Sequence, residues 1–141
     1  MDKSYKYRAF ITYAHKDENQ ARWLRKKLEK FSVPKNLVGK KGKFGKIPSR
    51  LYPIFRDRDE LPGSAQLGSV IEEALHDSSH LIVLCSPNAV KSRWVNEEIR
   101  LFKKVGKGDR ILCLLIDGEP MADDLAHSKG KECLPLAVRR K

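Results

Sequence analysis

A carboxylate on the apolar face of one helix is the feature of this sequence that most suggests chemistry. The apolar pattern predicts a helix from about Asn88 to Val105. At about 100° per residue, Glu98 falls inside the apolar arc of this helix, which comprises Trp94, Val95, Ile99, Leu101, Phe102 and Val105. A carboxylate in such surroundings costs free energy unless it is paired, hydrogen-bonded or used in a reaction. Two interpretations follow: a functional acid, or a structural glutamate that pairs with a neighbouring loop or base.

The helix neighbours of Glu98 have different surroundings. Glu97 lies outside the arc beside Arg93 and Arg100, so we expect it to be an ordinary solvated charge. Trp94 lies one turn before Glu98 on the same side. A flat ring beside a carboxylate can stack on a heterocycle or a ribose, although a tryptophan on an apolar face is more often part of the core. The pattern therefore nominates a site without naming its chemistry.

Short strand-like runs alternate with longer helical runs, which predicts a parallel sheet with helices packed on its faces. The predicted strands are Tyr7–Tyr13, Leu51–Phe55, His80–Cys85 and Arg110–Ile116. The last two are continuous apolar runs, typical of central strands covered on both sides. Because it holds Pro53, the second run is a strand only if it lies near a sheet edge or its N–H side is free. The predicted fold class is α/β, a flavodoxin-like doubly wound parallel sheet with helices on both faces.

Two further helices are predicted from their apolar stripes. The first, Asp17–Phe31, has its stripe at Ala21, Leu24, Leu28 and Phe31. The second, which Ser64 could cap, has Leu67, Val70, Ile71, Ala74 and Leu75. Residues 33–50, rich in Lys, Gly and Pro, are predicted to form a long, mobile surface loop. Beyond Asp117 no convincing final strand and helix are evident, so the C-terminal elements are expected to be incomplete.

Three loops are expected to surround a ligand site in this architecture. Ligands of doubly wound sheets bind at the carboxyl ends of the strands, near the point where the strand order reverses. The loops at these ends are Tyr13 to Asp17, Asp57 to Gly63, and the segment from Ser86 onward.

The chain is basic, and its excess charge is concentrated in one segment. Lys and Arg number 29 against 18 Asp and Glu. The segment Arg22 to Arg50 holds most of the excess, with Glu29 as its single acid. Such a segment attracts nucleic acid, acidic membranes, phosphate-bearing ligands or acidic proteins, or it is simply a solvated face. Trp23 and Phe31 lie at helix-core spacing, which argues against a dedicated nucleic-acid groove.

The cysteines and the hydropathy indicate an intracellular protein. Cys85, Cys113 and Cys133 lack the paired spacing of zinc sites, so we expect small core residues in a reducing compartment and no bound metal. No run of about 18 apolar residues is present, and the N-terminus is charged where a signal peptide is apolar. The expected location is cytoplasmic.

Three stretches together resemble the Toll/interleukin-1 receptor (TIR) family. RAFITYAHKD is similar to the family's first strand and the loop after it, with Thr12 where Ser is usual. IFRDRDELPGSAQLG resembles the loop after the second strand of bacterial and plant members. LIVLCSPNAVKSRWVNEEI resembles the third strand and the S-x-W-x-x-x-E helix, which is the most specific of these elements. The likeness covers residues 8–118.

The resemblance implies a single TIR domain over residues 1–141 that cleaves NAD+ at its nicotinamide–ribose bond. The Glu of W-x-x-x-E is essential in active members, and counting from Trp94 gives Glu98, the residue that the helical wheel selects independently. NAD+ is then the substrate, with no cofactor. Nicotinamide leaves as a neutral molecule, so the barrier lies in oxocarbenium-like charge on the ribose, which a nearby anion stabilises. The product is ADP-ribose or a cyclic ADP-ribose.

Further roles follow from the resemblance. The substrate-binding residues that it implies are Tyr13, Ala14, His15, Asp57, Gly63, Ser86 and Trp94. Trp94 would border the ribose and nicotinamide, and residues 57–63 would act as a lid. After the lid glycine the chain has Ser-Ala-Gln, where active relatives often have an aromatic residue. Expected partners are other TIR domains, by self-association into a composite site, and a sensor or repeat domain outside this chain, without membrane or nucleic acid. The implied role is an effector in bacterial anti-phage immunity or signalling.

Two other functions compete with this one. The first is a non-catalytic adaptor that docks TIR domains through the Arg22 to Arg50 segment; a pure scaffold has no physical need for Glu98 in an apolar arc. The second is a phospho-accepting receiver domain, whose acids follow the first and third strands. Here Asp57 and Asp59 follow the second strand, which disfavours a receiver.

Overall fold

The computed structural model describes residues 5–56, 69–120 and 131–139 of the 141-residue chain. Its helices and strands, in chain order, are β1 (Tyr7–Thr12), α1 (Glu18–Lys30), β2 (Lys41–Gly42), β3 (Gly45–Lys46), β4 (Ile54–Arg56), α2 (Ser69–His76), β5 (Ser78–Cys85), α3 (Pro87–Lys91), α4 (Arg93–Lys104), β6 (Ile111–Leu115) and α5 (Leu136–Arg139).

Four parallel strands form the main sheet, in the order β4-β1-β5-β6. The chain moves outward from β1 to β4 and then returns to β5 on the other side of β1, so the strand order reverses between β1 and β5. Apolar side chains fill both faces of the sheet. One face packs Leu81 and Val83 against α2, α4 and α5, and the other packs Ile11 and Leu84 against α1. The predicted flavodoxin-like sheet is confirmed.

The strand β4, which overlaps the second predicted strand at Ile54 and Phe55, lies at the sheet edge, as expected from Pro53. Among the described strands it pairs only with β1, in the register Phe10 with Phe55, and the rings of these two residues stack at 5.0 Å. Glu29, the single acid of the basic segment, accepts a hydrogen bond from the Ile54 amide at 2.9 Å. The acid therefore fixes α1 to the start of the edge strand.

The predicted single helix from Asn88 to Val105 is wrong, because the chain breaks at Ser92. This residue has an extended backbone (φ −81°, ψ 115°) and ends α3. Its side chain accepts a hydrogen bond from the Val95 amide at 3.2 Å, so it also caps the start of α4. The helical wheel still applies, because Trp94 and Glu98 both lie within α4.

The prediction that the last strand is central is wrong for the described part of the sheet. No described strand pairs with the outer edge of β6. Leu112 is 56% exposed and Leu115 is 50% exposed, whereas Leu81 and Val83 on β5 are fully buried. An apolar run reports the composition of a strand, not whether a further layer covers it.

Three apolar residues that the sequence predicts to be buried are exposed. Trp23 on α1 is 60% exposed, Phe31 directly after α1 is 49% exposed, and Val70 on α2 is 53% exposed. The first helix contacts the sheet through Ala21, with Leu24 and Leu28 half-buried, so its buried face is narrower than the sequence pattern. The assumption that the aromatics of the basic segment lie in the core is therefore wrong.

Residues 33–50 contain a hairpin where the sequence predicts a long irregular loop. The strands β2 and β3 pair antiparallel across a two-residue turn at Lys43 and Phe44. The hydrogen bonds Gly39 N to Ile47 O (2.8 Å) and Ile47 N to Lys40 O (2.9 Å) extend this pairing. Strands this short, with glycine and lysine side chains, carry no apolar alternation from which a hairpin could be recognised.

The cysteines differ in exposure. Cys85 and Cys133 are buried as expected, but Cys113 on β6 is exposed, which contradicts the expectation of three core residues. The side-chain hydrogen bond with Cys85 is the main cause that lowers the pKa of the Cys113 thiol to about 7. The same contact, together with burial, raises the pKa of Cys85.

None of the described helices is long and apolar enough to cross a bilayer.

Candidate active site at the carboxyl edge of the sheet

Glu98 lies on the buried face of α4, beside the carboxyl end of β1. Its residue exposure is 1%. Thr12, the last residue of β1 and itself fully buried, donates a hydrogen bond from Oγ1 to Glu98 Oε1 at 2.5 Å. The apolar side of α4 must face the sheet, and Glu98 is part of that side. Its predicted position within the apolar arc is thus confirmed, with deeper burial than the half-desolvated carboxylate expected from the sequence.

Glu97 is the solvated helix charge that the wheel predicts. It accepts a hydrogen bond from Arg93 Nε at 2.9 Å, one turn earlier on α4. Adjacent glutamates on one helix therefore differ in environment: one faces the sheet and the other lies in a surface ion pair. This contrast makes Glu97 a matched control for Glu98.

Trp94 is half-buried, one turn before Glu98 on α4. The Arg93 guanidinium lies 5.7 Å from the centre of its ring. The ring is therefore neither fully in the core nor fully in solvent. This position agrees with an aromatic wall at the border of a site.

The loop after β1 contributes less open surface than expected. Tyr13 is 1% exposed and Ala14 is 5% exposed, and Tyr13 packs in the core cluster on the α1 side of the sheet. His15 and Lys16, the first two residues of a short 3-10 turn, are exposed. Of the three residues predicted here to line a pocket, His15 alone presents its side chain to solvent in this structure.

Ser86 is fully buried, and its hydroxyl already makes two hydrogen bonds within the protein. It donates to Asp17 Oδ2 at 2.5 Å and accepts from the Ala89 amide at 3.0 Å, which caps α3. Asn88 Nδ2 donates to the other oxygen of Asp17 at 3.1 Å. The structure therefore gives Ser86 a bracing role between the loops after β1 and β5, in place of an open substrate-binding position.

Two residues of this region were not predicted as site residues. Thr12 was noted only as a departure from the usual Ser, although a hydroxyl at the carboxyl end of a central strand is a recognisable signal. Asp17 was interpreted as a helix-dipole acid, yet it is only 4% exposed and is hydrogen-bonded to Ser86 and Asn88. No local sequence pattern distinguishes it from a surface acid.

We expect Asp17→Ala to lower the free energy of unfolding by about 2 kcal/mol, because two donors lose a charged acceptor in a buried place. Urea denaturation followed by circular dichroism measures the change. Glu18→Ala is the control, since Glu18 makes an exposed i,i+4 pair with Arg22 and is expected to change stability by less than about 0.5 kcal/mol. Equal losses in the two variants would contradict the bracing role.

Two predicted residues, Asp57 and Gly63, and the predicted lid lie outside the described residues, as do Ser64 and Leu67 of the helix that follows. Among residues 5–56, 69–120 and 131–139, no group of three His, Cys, Asp or Glu is placed to hold a metal ion.

A parallel doubly wound sheet with a W-x-x-x-E glutamate buried at its carboxyl edge is the arrangement of a TIR domain. The family described as "Thoeris protein ThsB, TIR-like domain" matches residues 10–120. This match covers most of the chain, so the chain belongs to that family of bacterial TIR domains.

Two curated proteins are similar to this chain. The NAD(+) hydrolase ApTIR of an Actinoplanes species is 39% identical over 70 residues, which is 50% of this chain and 10% of that protein. Protein toll of Drosophila melanogaster is 30% identical over 100 residues, which is 71% of this chain and 8% of that protein. The chain thus spans a tenth or less of the length of either relative.

A solved structure of TIR domains is also similar. It is the activated Roq1 resistosome directly recognizing the pathogen effector XopQ, with 17% identity, a TM-score of 0.49, and coverage of 78% of this chain and 56% of that one.

Proposed function

We propose that this TIR domain is an NAD+ glycohydrolase that uses Glu98 as its catalytic carboxylate. The observation that carries the proposal is the burial of Glu98 at the carboxyl edge of the sheet, oriented by Thr12. The similarity to a relative named as an NAD(+) hydrolase supports the substrate. Nicotinamide release from NAD+, measured with purified protein over a range of concentrations, tests it.

The chemistry requires one well-placed negative charge. The bond between C1′ of the ribose and the pyridinium nitrogen breaks, and its electron pair leaves with neutral nicotinamide. Positive charge then develops on the ribose, and a carboxylate beside the ring stabilises it. When water forms the new bond to C1′, it loses a proton and the product is linear ADP-ribose. When an adenine nitrogen of the same molecule forms this bond, the product is a cyclic ADP-ribose. No general acid is needed for the leaving group.

The burial of Glu98 has a consequence for activation. A residue that is 1% exposed cannot contact a ribose, so cleavage requires a rearrangement that uncovers it. We propose that self-association with other TIR domains supplies this change and completes the site. The rate of nicotinamide release should then rise more steeply than in proportion to the protein concentration, so that the specific activity increases with concentration.

Thr12 is proposed as a positioning residue. We expect Thr12→Val to lower kcat by about tenfold to a hundredfold, since the carboxylate loses the hydrogen bond that orients it. Thr12→Ser retains the hydroxyl and should restore most of the activity. Steady-state kinetics of nicotinamide release measure both variants; a Thr12→Ser variant as impaired as Thr12→Val would show that the methyl packing matters and the hydrogen bond does not.

The competing function is a non-catalytic adaptor. The packing of Tyr13, Ala14 and Ser86 favours it, because these side chains are occupied within the protein. Absence of nicotinamide release by assembled wild-type protein would favour the adaptor over the enzyme. For the enzyme we propose the role of a cytoplasmic effector in bacterial anti-phage defence, coupled to a sensor or repeat domain outside this chain.

A further inference from the structure

A second concave site lies at the amino ends of the strands, whereas Glu98 lies at their carboxyl ends. It is a cavity of about 230 Å³ between the β2–β3 hairpin and the amino ends of β1 and β5, here named the hairpin cavity. Arg8, Lys43, Phe44, Lys46, Ser79 and His80 are among its lining residues. Arg8 and Thr12 are four positions apart on β1, which is about 13 Å along a strand. The hairpin cavity is therefore distinct from the proposed catalytic site.

The charge of the hairpin cavity is of one sign. Arg8, Lys43 and Lys46 line it, and no aspartate or glutamate does. Within residues 5–56, 69–120 and 131–139, none of these three side chains makes a salt bridge, whereas Arg22, Arg25 and Arg93 each pair with a glutamate on their own helix. Cations that line one cavity repel one another, and an anion bound among them reduces that repulsion.

The hairpin is held in place by contacts with the sheet. The Phe44 ring lies edge-on to His80 at 5.0 Å, and the Arg110 guanidinium lies 4.4 Å from its centre. Arg110 in turn donates a hydrogen bond to Ser79 Oγ at 3.2 Å. These contacts anchor the turn that carries Lys43 and place the cations on a defined frame. Because the hairpin is already ordered, binding a ligand there loses less conformational entropy than ordering a flexible loop would.

His80 contributes polarity to the cavity without adding charge at neutral pH. Burial is the first cause that lowers its pKa, and the positive charges of Arg110 and Lys107 lower it further against the opposing effect of Asp109. The Nδ1 of His80 is hydrogen-bonded with Ser79 Oγ at 2.9 Å, so Nε2 is the ring nitrogen that can serve a ligand, while Arg8, Lys43 and Lys46 supply the positive charge.

We propose that the hairpin cavity binds a small phosphate-bearing ligand, with Lys43 and Lys46 as its principal anion contacts. A cavity of about 230 Å³ has room for a phosphate or pyrophosphate group, whereas a polymer needs an extended groove. The same basic residues give the Arg22 to Arg50 segment a specific role in place of general solvation. This proposal does not depend on NAD+ cleavage, because the two sites are at opposite edges of the sheet.

Titration with inorganic pyrophosphate tests the proposal by isothermal calorimetry and by amide chemical shifts. We expect saturable binding, with the largest shifts at Gly42, Gly45 and Ser79. The double variant Lys43→Gln/Lys46→Gln should weaken the affinity at least about tenfold. The control Lys26→Gln/Lys30→Gln removes the same charge from exposed positions on α1 and should change the affinity less than about twofold.

Other outcomes are equally informative. Equal weakening in both double variants, or no saturation at millimolar pyrophosphate, would overturn the proposal in favour of diffuse charge attraction. Binding of a 12-nucleotide single strand or of phosphatidylserine vesicles that pyrophosphate does not displace would overturn it in favour of a polymer or a membrane. Parallel titrations with ribose 5-phosphate and orthophosphate distinguish an organic phosphate from the free ion. Retention of binding by Glu98→Gln separates this site from the catalytic one.

Discussion

Replacing Glu98 by glutamine is expected to lower the rate of nicotinamide release from NAD+ by about a thousandfold. The reason is electrostatic: the amide is neutral and cannot stabilise the positive charge that develops on the ribose, and removing one well-placed stabilising group in a water-excluded site has effects of about a hundredfold to a thousandfold. Chromatographic measurement of nicotinamide, with assembled protein at several concentrations, gives the rate.

Two features make the Glu98 experiment interpretable. Glutamine keeps an oxygen that can accept the Thr12 hydroxyl, so the variant should fold with a free energy of unfolding within about 1 kcal/mol of the wild type. Glu97→Gln, one residue away and in a surface ion pair, should retain full activity. A folded Glu98→Gln variant with wild-type activity would remove this residue from the mechanism.

Replacing Lys107 by methionine is expected to lower the free energy of unfolding by about 4 kcal/mol. Lys107 is 6% exposed, and its Nζ donates to the carbonyl oxygens of Leu75 (2.8 Å), His76 (3.1 Å) and Ser78 (2.7 Å). These carbonyls lie at the end of α2 and the start of β5. A cation at the end of a helix also interacts favourably with the negative end of the helix dipole. Methionine has a similar length but no donor, so three buried acceptors lose their partner. Urea denaturation measures the difference.

The control for Lys107 is Lys104→Met, which removes the same charge from an exposed position at the end of α4. Its effect on stability should be under about 0.5 kcal/mol. Similar losses in the two variants would show that net charge, and not the three carbonyl contacts, explains the effect.

Strong periodicity made the central part of the fold predictable. Both β1 and β5 are apolar runs rich in residues that favour strands. The helix α1 has an apolar stripe, an acidic first turn and a basic last turn, so tertiary packing and local preference agree. Glu98 was predictable for a related reason: the wheel compares one residue with a face that is otherwise apolar. A single discordant residue is most visible where the pattern around it is most regular.

The remaining features depend on contacts between residues far apart in the chain. Nothing near Lys107 distinguishes it from Lys103 or Lys104, because its burial is decided by the end of α2, about thirty residues earlier. Asp17 likewise acquires its role from Ser86 and Asn88. The end of the helical pattern at Ser92 was hidden because a serine inside a helix and a serine that caps a helix have the same local sequence.

The bracing of Asp17 against Ser86 and Asn88 bears on how a nucleotide would be received. The two loops that follow the central strands are joined by one buried and one partly buried hydrogen bond, so they form a stiff floor whose side chains have little rotational freedom left to lose. Docking on such a floor needs little reorganisation of Asp17, Ser86 and Asn88, although Glu98 must still be uncovered. Selectivity among nucleotides would then be set by groups outside this floor. Substitutions of Asp17, Ser86 or Asn88 would lower stability before they changed which nucleotide is bound.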